Sequence, residues 1–177
     1  MQRPGAGEVR VAVLESALLA VACLFSYWLI AGLLSRLHGV SRTEGIIGGL
    51  WAAIATIFVS KGSYQQSVAA AVSRVAGTLV SFAVCFVYLI FLPVHLWAFA
   101  LLIGVSALVP ALAGRPADVA TAAITTAVLL ALAPLNPQHA WQQPLFRLGD
   151  TIVGVIVGVA AAWISRRMTD QRSPGDH

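Results

Sequence analysis

The chain has 177 residues, of which 59% are hydrophobic and only 10% are charged. A soluble domain carries about 25% charged residues, and the mean hydropathy of this chain is +0.85. Between Arg74 and Arg115 no residue is charged. These features argue against a soluble enzyme and predict a polytopic membrane protein. The net charge of +4 then reflects basic residues in loops, and we expect no nucleic-acid partner.

Six apolar runs predict six helices near the ~20 residues that a membrane crossing needs. The predicted spans are residues 11–34, 45–60, 67–92, 96–112, 119–133 and 145–164. Pro93 is expected to close the third helix and Pro110 to kink or end the fourth. Arg115 and Asp118 flank Pro116 in a tight connection. The first run is of full spanning length without a cleavage-site pattern, so we expect it to be retained.

An internal duplication organises these spans. Ser73–Thr78 (SRVAGT) places an arginine near the start of an apolar run, and Phe146–Thr151 (FRLGDT) does so again 73 residues later (147 − 74). Upstream, Ala52–Thr56 (AAIAT) is matched by Ala122–Thr126 (AAITT) 70 residues later (122 − 52). Two matches in the same order, at nearly equal offsets, predict two three-helix repeats.

The predicted repeats cover residues 11–92 and 93–166, between cytoplasmic tails at 1–10 and 167–177. Because each repeat has an odd number of helices, the second crosses the membrane in the opposite sense. Cytoplasmic loops carry an excess of Lys and Arg; with the N-terminus inside, eight of these residues lie inside and three outside. The predicted fold class is therefore an all-α integral membrane protein with six transmembrane helices as two inverted three-helix repeats, N and C termini cytoplasmic.

Inverted repeats are typical of secondary transporters, whose binding sites lie near the midplane between the repeats. The second and fifth spans have apolar cores of only 14 (46–59) and 15 (119–133) residues. We therefore expect these two spans to lie inside the protein and to line a water-filled cavity. The hydroxyl groups of Thr56, Thr125 and Thr126 would then lie on the substrate pathway. The alternative is that each threonine bonds the backbone of its own helix four residues earlier.

Two arginines inside apolar runs are the strongest functional signal. A guanidinium in hydrocarbon costs about 2.5 to 17 kcal/mol, so Arg74 and Arg147 need a partner, water or the interface. Asp150 lies three residues after Arg147, on the same helix face. The matching position after Arg74 is Gly77, so Arg74 either pairs elsewhere, for example with Asp150 or Glu15, or holds an anion. A planar guanidinium binds a carboxylate in a bidentate fork.

No catalytic constellation, metal cluster or phosphate-binding loop is evident, so we expect no enzyme, cofactor or metal. Cys23 and Cys85 lie in apolar runs without disulfide or metal-ligand spacing, and we interpret them as small buried hydrophobic residues. Glu15 lies one or two turns into the first span. We interpret it as an interfacial carboxylate, with a proton- or substrate-linked site as the alternative.

The run from Trp51 to Val59, followed by Ser63-Tyr64 and Arg74-x-x-Gly77-Thr78, resembles the signature of the fusaric acid resistance and aromatic acid exporter family. Arg147-x-x-Asp150-Thr151-x-x-Gly154 is similar to the family's second arginine element, and the likeness extends over residues 10–166. The resemblance implies a six-helix domain of the bacterial inner membrane that exports aromatic carboxylic acids, driven by the proton gradient. Related plant proteins that conduct malate imply a common preference for organic anions.

By this resemblance the expected substrate-binding residues are Arg74, Thr78, Arg147, Asp150 and Thr151, to which the short spans add Thr56 and Thr125. Many family members have a large cytoplasmic domain or a second membrane domain, neither of which lies in these 177 residues. Six short helices enclose little space, so we expect a homo-oligomer in the lipid bilayer. A passive organic-anion channel and a non-transporting scaffold subunit of a membrane complex remain open as alternatives.

Overall fold

The computed structural model describes residues 5–34, 36, 41–61, 63–92, 95–135 and 137–170. These residues form six α-helices and no strand, which confirms the all-α class. The helices are α1 (Ala6–Leu34), α2 (Arg42–Val59), α3 (Tyr64–Phe91), α4 (Leu96–Leu112), α5 (Pro116–Leu132) and α6 (Gln143–Asp170). Two short 3-10 helices, Ala133–Leu135 and Pro137–Gln142, lie between α5 and α6. Pro93 and parts of both predicted tails, 1–4 and 171–177, lie outside the described residues.

Helix boundaries follow local capping more closely than hydropathy. Ser41 caps α2 by accepting a hydrogen bond from the Glu44 amide at 3.2 Å, in the Ser-x-x-Glu pattern of a capping box. The helix therefore begins at Arg42, before the predicted start of the span. Pro116 occupies the first turn of α5, where its missing N–H costs nothing. Pro110 lies in the last turn of α4, which ends before Gly114 at φ 71°.

Four helical segments are long and apolar enough to cross a membrane: Val9–Gly32, Arg42–Val59, Tyr64–Phe91 and Ala140–Met168. The helices α4 and α5 have 17 residues each, about 26 Å at 1.5 Å per residue, against a hydrocarbon core of about 30 Å. The two short apolar cores predicted at 46–59 and 119–133 lie in α2 and α5, and α2 reaches 18 residues because its capped polar first turn is also helical. The protein is a multi-pass membrane protein.

The helices group into two compact units. Unit 1 consists of Met1–Ala70 and Val153–His177, and unit 2 of Ala71–Ile152. Unit 1 thus contains α1, α2, the first turns of α3 and most of α6. Unit 2 contains the rest of α3, α4, α5 and the start of α6. This grouping by packing crosses the predicted repeat boundary at residues 92 and 93, and the inverted arrangement of the repeats remains a prediction.

In unit 1, close backbone approach joins α2 and α6. A Cβ added at Gly154 would collide with the carbonyl oxygen of Ala52 and lie 2.7 Å from Ala55 Cβ. One turn later, a Cβ at Gly158 would lie 3.0 Å from Val59 Cβ. The Gly154-x-x-x-Gly158 sequence is therefore a helix-contact motif, in which small residues let two backbones meet.

In unit 2, α3 packs on α5 in a similar way. A Cβ at Gly77 would lie 2.7 Å from Thr121 Cγ2, and Ser81 Oγ donates a hydrogen bond to the Ala122 carbonyl at 2.7 Å. The apolar core of the unit lies next to this contact. It consists of Cys85, Leu89, Ala98, Leu102, Leu129, Leu130, Ala133 and Ala140.

Candidate functional site

Two buried arginines mark the candidate site in unit 2. Arg74, on α3, is 2% exposed, and Arg147, on α6, is 0% exposed. Both helices are apolar enough to cross a membrane, and both charged side chains are buried within the protein. Thr78, one turn after Arg74, is buried and donates its hydroxyl to the Arg74 carbonyl at 2.8 Å.

Arg147 and Asp150 form an ion pair within α6. Arg147 Nη1 lies 3.0 Å from Asp150 Oδ2, and both side chains are buried. The contact is ionic by distance and is not an aligned hydrogen bond. This is the partner that the i, i+3 spacing predicted. Gln143, one turn before Arg147, and Thr151, one turn after it, are also buried, so the pair lies in a short polar segment of an otherwise apolar helix.

Asp118 is the second buried carboxylate of unit 2. The sequence predicts it only as part of the tight connection around Pro116. Asp118 lies in the first turn of α5, where the helix dipole favours a negative charge. Its Oδ2 lies 2.6 Å from Arg115 Nε, and its Oδ1 accepts a hydrogen bond from Ser73 Oγ. The Asp118 side chain is 3% exposed and that of Arg115 is 47% exposed. The signals in the sequence were the i, i+3 spacing from Arg115 and the acid just after Pro116.

The charges of unit 2 are nearly balanced. Residues 71–152 contain three arginines and two aspartates, which leaves a formal charge of +1. Two of the arginines and both aspartates are buried, and the third arginine, Arg115, is half-exposed. The buried charges therefore balance in number, as the cost of an uncompensated buried charge requires.

Thr78, Thr125 and Thr56 bond the backbone of their own helices, whereas Thr126 donates to Ser106 on α4. Thr125 Oγ1 donates to the Thr121 carbonyl at 2.8 Å, as Thr78 does to Arg74. Thr56 Oγ1 lies 3.0 Å from the carbonyl oxygens of both Ala52 and Gly154. The alternative reading of these hydroxyls, a bond to the backbone four residues earlier, therefore describes their geometry.

The predicted site residues fall into the two units unequally. Unit 2 contains Arg74, Thr78, Thr125, Arg147, Asp150 and Thr151. Thr56 belongs to unit 1, where it is fully buried and hydrogen-bonded. Of the unit 2 residues, Arg147 is brought into contact with Asp150, and Thr78 with the Arg74 backbone. The structure therefore shows these two local contacts, and the assignment of the seven residues to one substrate site stays a prediction.

The possible metal ligands and the two cysteines can also be located among the described residues. The described residues contain no group of three or more His, Cys, Asp or Glu residues arranged to hold a metal ion. Cys23 and Cys85 are free thiols. Cys85 lies in the apolar core of unit 2, in agreement with its reading as a small buried hydrophobic residue.

Both buried arginines lie in a stretch of the chain that is similar to a known protein family. The fusaric acid resistance protein-like family matches the chain over residues 22–161. No curated protein matches the chain, and no solved structure does. The matched stretch includes both buried arginines and covers well over half of the 177 residues, and its apolar helices fit a membrane protein of the transport or resistance type. The chain therefore belongs to the fusaric acid resistance protein-like family.

Proposed function

We propose that the protein exports small organic anions, with aromatic carboxylic acids as the preferred class and the proton gradient as the driving force. The observation that carries the proposal is the burial of two arginines, Arg74 and Arg147, on helices that are long and apolar enough to cross a membrane. Ionisable groups within membrane-spanning helices are costly and mark substrate or ion pathways by default.

The two arginines have different surroundings along their own helices. Arg147 is neutralised locally by Asp150 at 3.0 Å. Arg74 lies in the segment that resembles the family's first arginine element, Arg74-x-x-Gly77-Thr78. On that resemblance we assign Arg74 to the substrate carboxylate, which its planar guanidinium can hold through two parallel hydrogen bonds. Thr78 lies beside it, and the Arg147–Asp150 pair, Thr151 and Thr125 complete the proposed anion site.

The aromatic preference rests on family membership and on the apolar core that unit 2 contains. Cys85, Leu129 and Leu130 form part of the buried core of the same unit. An apolar lining with a few fixed polar groups is the usual composition of a site for a small organic ligand. An aromatic acid combines a ring for the apolar lining with a carboxylate for the guanidinium.

The test is flux in proteoliposomes containing the purified protein. Radiolabelled benzoate-like acids and aliphatic carboxylates of similar size are loaded, with and without a proton gradient, and protein-free liposomes serve as the control. We expect saturable flux of the aromatic acids that increases with the gradient. Flux that neither saturates nor responds to the gradient would instead identify a passive anion channel. If no carboxylate moves, the transport proposal is wrong and a scaffold role takes its place.

We also propose a homo-oligomer in the bacterial inner membrane, with both chain ends in the cytoplasm. Leu96 and Leu112, at the two ends of α4, are largely exposed and suit contact with lipid or with a second copy. Mass measurement in lipid nanodiscs tests the oligomeric state. Accessibility of cysteines introduced at positions 3 and 172, in a variant lacking Cys23 and Cys85, tests the orientation: labelling from the periplasm would contradict it.

A further inference from the structure

Unit 1 contains a pocket of about 270 Å³ that the proposed transport function does not use. Its walls come from α1, from the residues that follow α2 and from the C-terminal part of α6. The lining residues are Glu15, Ser16, Leu18, Leu19, Ser60, Lys61, Ala161, Ala162 and Ser165. The pocket thus combines one carboxylate, one ammonium group and three hydroxyls with four apolar side chains.

The pocket lies near the ends of the membrane-spanning segments. Glu15 follows the first residue of the α1 span, Val9, by six positions, and Ser165 precedes the last residue of the α6 span, Met168, by three. At 1.5 Å per residue these offsets are about 9 Å and about 5 Å. Lys61 lies two residues beyond the end of α2. This depth corresponds to the boundary between lipid headgroups and acyl chains.

The two charged side chains of the pocket, Glu15 and Lys61, do not form an ion pair with each other. Glu15 and Lys61 are both exposed, and neither forms an ion pair with the other or with a third residue in the described part of the chain. The Lys61 backbone is held in place, because its N–H donates to the buried Ser67 Oγ at 3.0 Å. Ser60 Oγ is buried and has no hydrogen-bond partner among the described residues, which leaves one hydroxyl donor unused at the pocket wall.

We propose that this pocket binds a phospholipid whose headgroup joins a phosphate to a primary ammonium, as in phosphatidylethanolamine. The Lys61 ammonium and the hydroxyls of Ser16 and Ser60 bind the phosphate oxygens. The Glu15 carboxylate accepts hydrogen bonds from the headgroup ammonium. The remaining wall, formed by leucines and alanines of α1 and α6, contacts the start of the acyl chains.

Other common headgroups fit this charge pair less well. Phosphatidylglycerol has no cation for Glu15 and brings a negative charge close to it. Phosphatidylcholine carries a trimethylammonium group, which cannot donate hydrogen bonds to the carboxylate. Free phosphoethanolamine shares the charged groups but lacks acyl chains, so a comparison with it separates a lipid site from a site for a soluble zwitterion.

The experiment is a lipid titration of the full chain in mild detergent, with binding followed by native mass spectrometry and by the thermal unfolding midpoint. Short-chain phosphatidylethanolamine should bind roughly threefold more tightly than phosphatidylcholine or phosphatidylglycerol. Glu15→Gln should remove that preference, and Lys61→Met should weaken the binding of all three lipids about fivefold. Arg42→Gln changes an exposed cation outside the pocket and should leave binding unchanged.

Equal affinity for the three lipids in the wild type would overturn the proposal, as would a preference that survives Glu15→Gln. An equal effect of free phosphoethanolamine would overturn the lipid assignment. Both substituted side chains are exposed, so the variants are expected to fold. The readout does not depend on transport activity, so its failure and the failure of the transport proposal are distinguishable.

Discussion

The two units use the same hydroxyl contact to join a pair of helices. In unit 1, Thr56 on α2 donates a hydrogen bond to Ser26 on α1, with the oxygens 3.1 Å apart. In unit 2, Thr126 on α5 donates to Ser106 on α4 at 2.7 Å. Thr56 and Thr126 end the matching strings AAIAT and AAITT, so the two matching strings make the same kind of contact.

A close contact between a glycine and an alanine of a neighbouring helix also occurs in both units. In each unit the two helices come from different predicted repeats. Gly154 of α6 packs on Ala52 of α2, and Gly77 of α3 packs on Ala122 of α5. Ala52 and Ala122 are the first residues of the same two strings and are fully buried. Each middle helix therefore receives a glycine from the third helix of the other predicted repeat. This exchange explains why packing groups the helices differently from their order in the chain.

Charge is what distinguishes the units. The buried charged residue described in unit 1 is Glu44, at 8% exposure, near the start of α2. Those described in unit 2 are Arg74, Asp118, Arg147 and Asp150, each at 2% or less. The buried charges of unit 2 include both arginines of the proposed anion site.

The largest expected effect comes from removing one member of the buried ion pair. Asp150→Asn takes away the carboxylate that Arg147 contacts, and the free energy of unfolding should fall by about 3–5 kcal/mol. Thermal or denaturant unfolding in detergent micelles measures this loss. The control is Arg42→Gln, which changes an exposed arginine that forms no ion pair within the described residues and should cost no more than about 1 kcal/mol. Equal losses in the two variants would show that burial of the charge is unimportant to stability.

Three Gly→Ala variants should differ in how much they change the free energy of unfolding, according to the space around each glycine. Gly154→Ala places a methyl group against the Ala52 carbonyl, a backbone atom that cannot move aside alone, and should cost about 1–3 kcal/mol. Gly77→Ala meets the side chain of Thr121 first and should cost less. Gly149→Ala, in α6 with open space around its Cβ, should be neutral or stabilise by up to about 1 kcal/mol. Unfolding midpoints in another order would contradict the α2–α6 contact.

The smallest effects should come from single hydroxyl groups. Thr126→Val removes the hydroxyl that bonds Ser106 and should cost about 0.6 kcal/mol, the average for such bonds in membrane proteins. Thr56→Val removes a hydroxyl that bonds Ser26 and also lies 3.0 Å from the carbonyl oxygens of Ala52 and Gly154, so it should cost slightly more. Unfolding measured side by side in one detergent provides the comparison. A loss several times larger in one unit would show that the contacts are alike in geometry but not in energy.

Local contacts could be predicted from the sequence, whereas distant ones could not. The bounds of α4 agree with the apolar run at 96–112, and the Arg147–Asp150 pair follows from spacing on one helix turn. The contact between Ser73 and Asp118 joins residues 45 positions apart, so hydropathy and spacing gave no sign of it. We also did not predict from the sequence that the polar first turn of α2 is helical. Hydropathy identifies the apolar part of a helix, whereas the start of α2 is determined by the N-cap residue Ser41.

The central claim is that a guanidinium in unit 2 binds the transported anion. The most direct test is benzoate flux in proteoliposomes for wild type, Arg74→Lys, Arg74→Gln and the exposed-arginine control Arg42→Gln, with folding checked by size-exclusion chromatography. A well-folded Arg74→Gln protein should lose roughly tenfold or more of the flux, because it loses a charge-assisted hydrogen bond to the carboxylate. Arg74→Lys should keep part of it, because it retains the charge without the planar fork, and Arg42→Gln should match wild type. A folded Arg74→Gln protein that transports benzoate at the wild-type rate and apparent affinity would contradict the account.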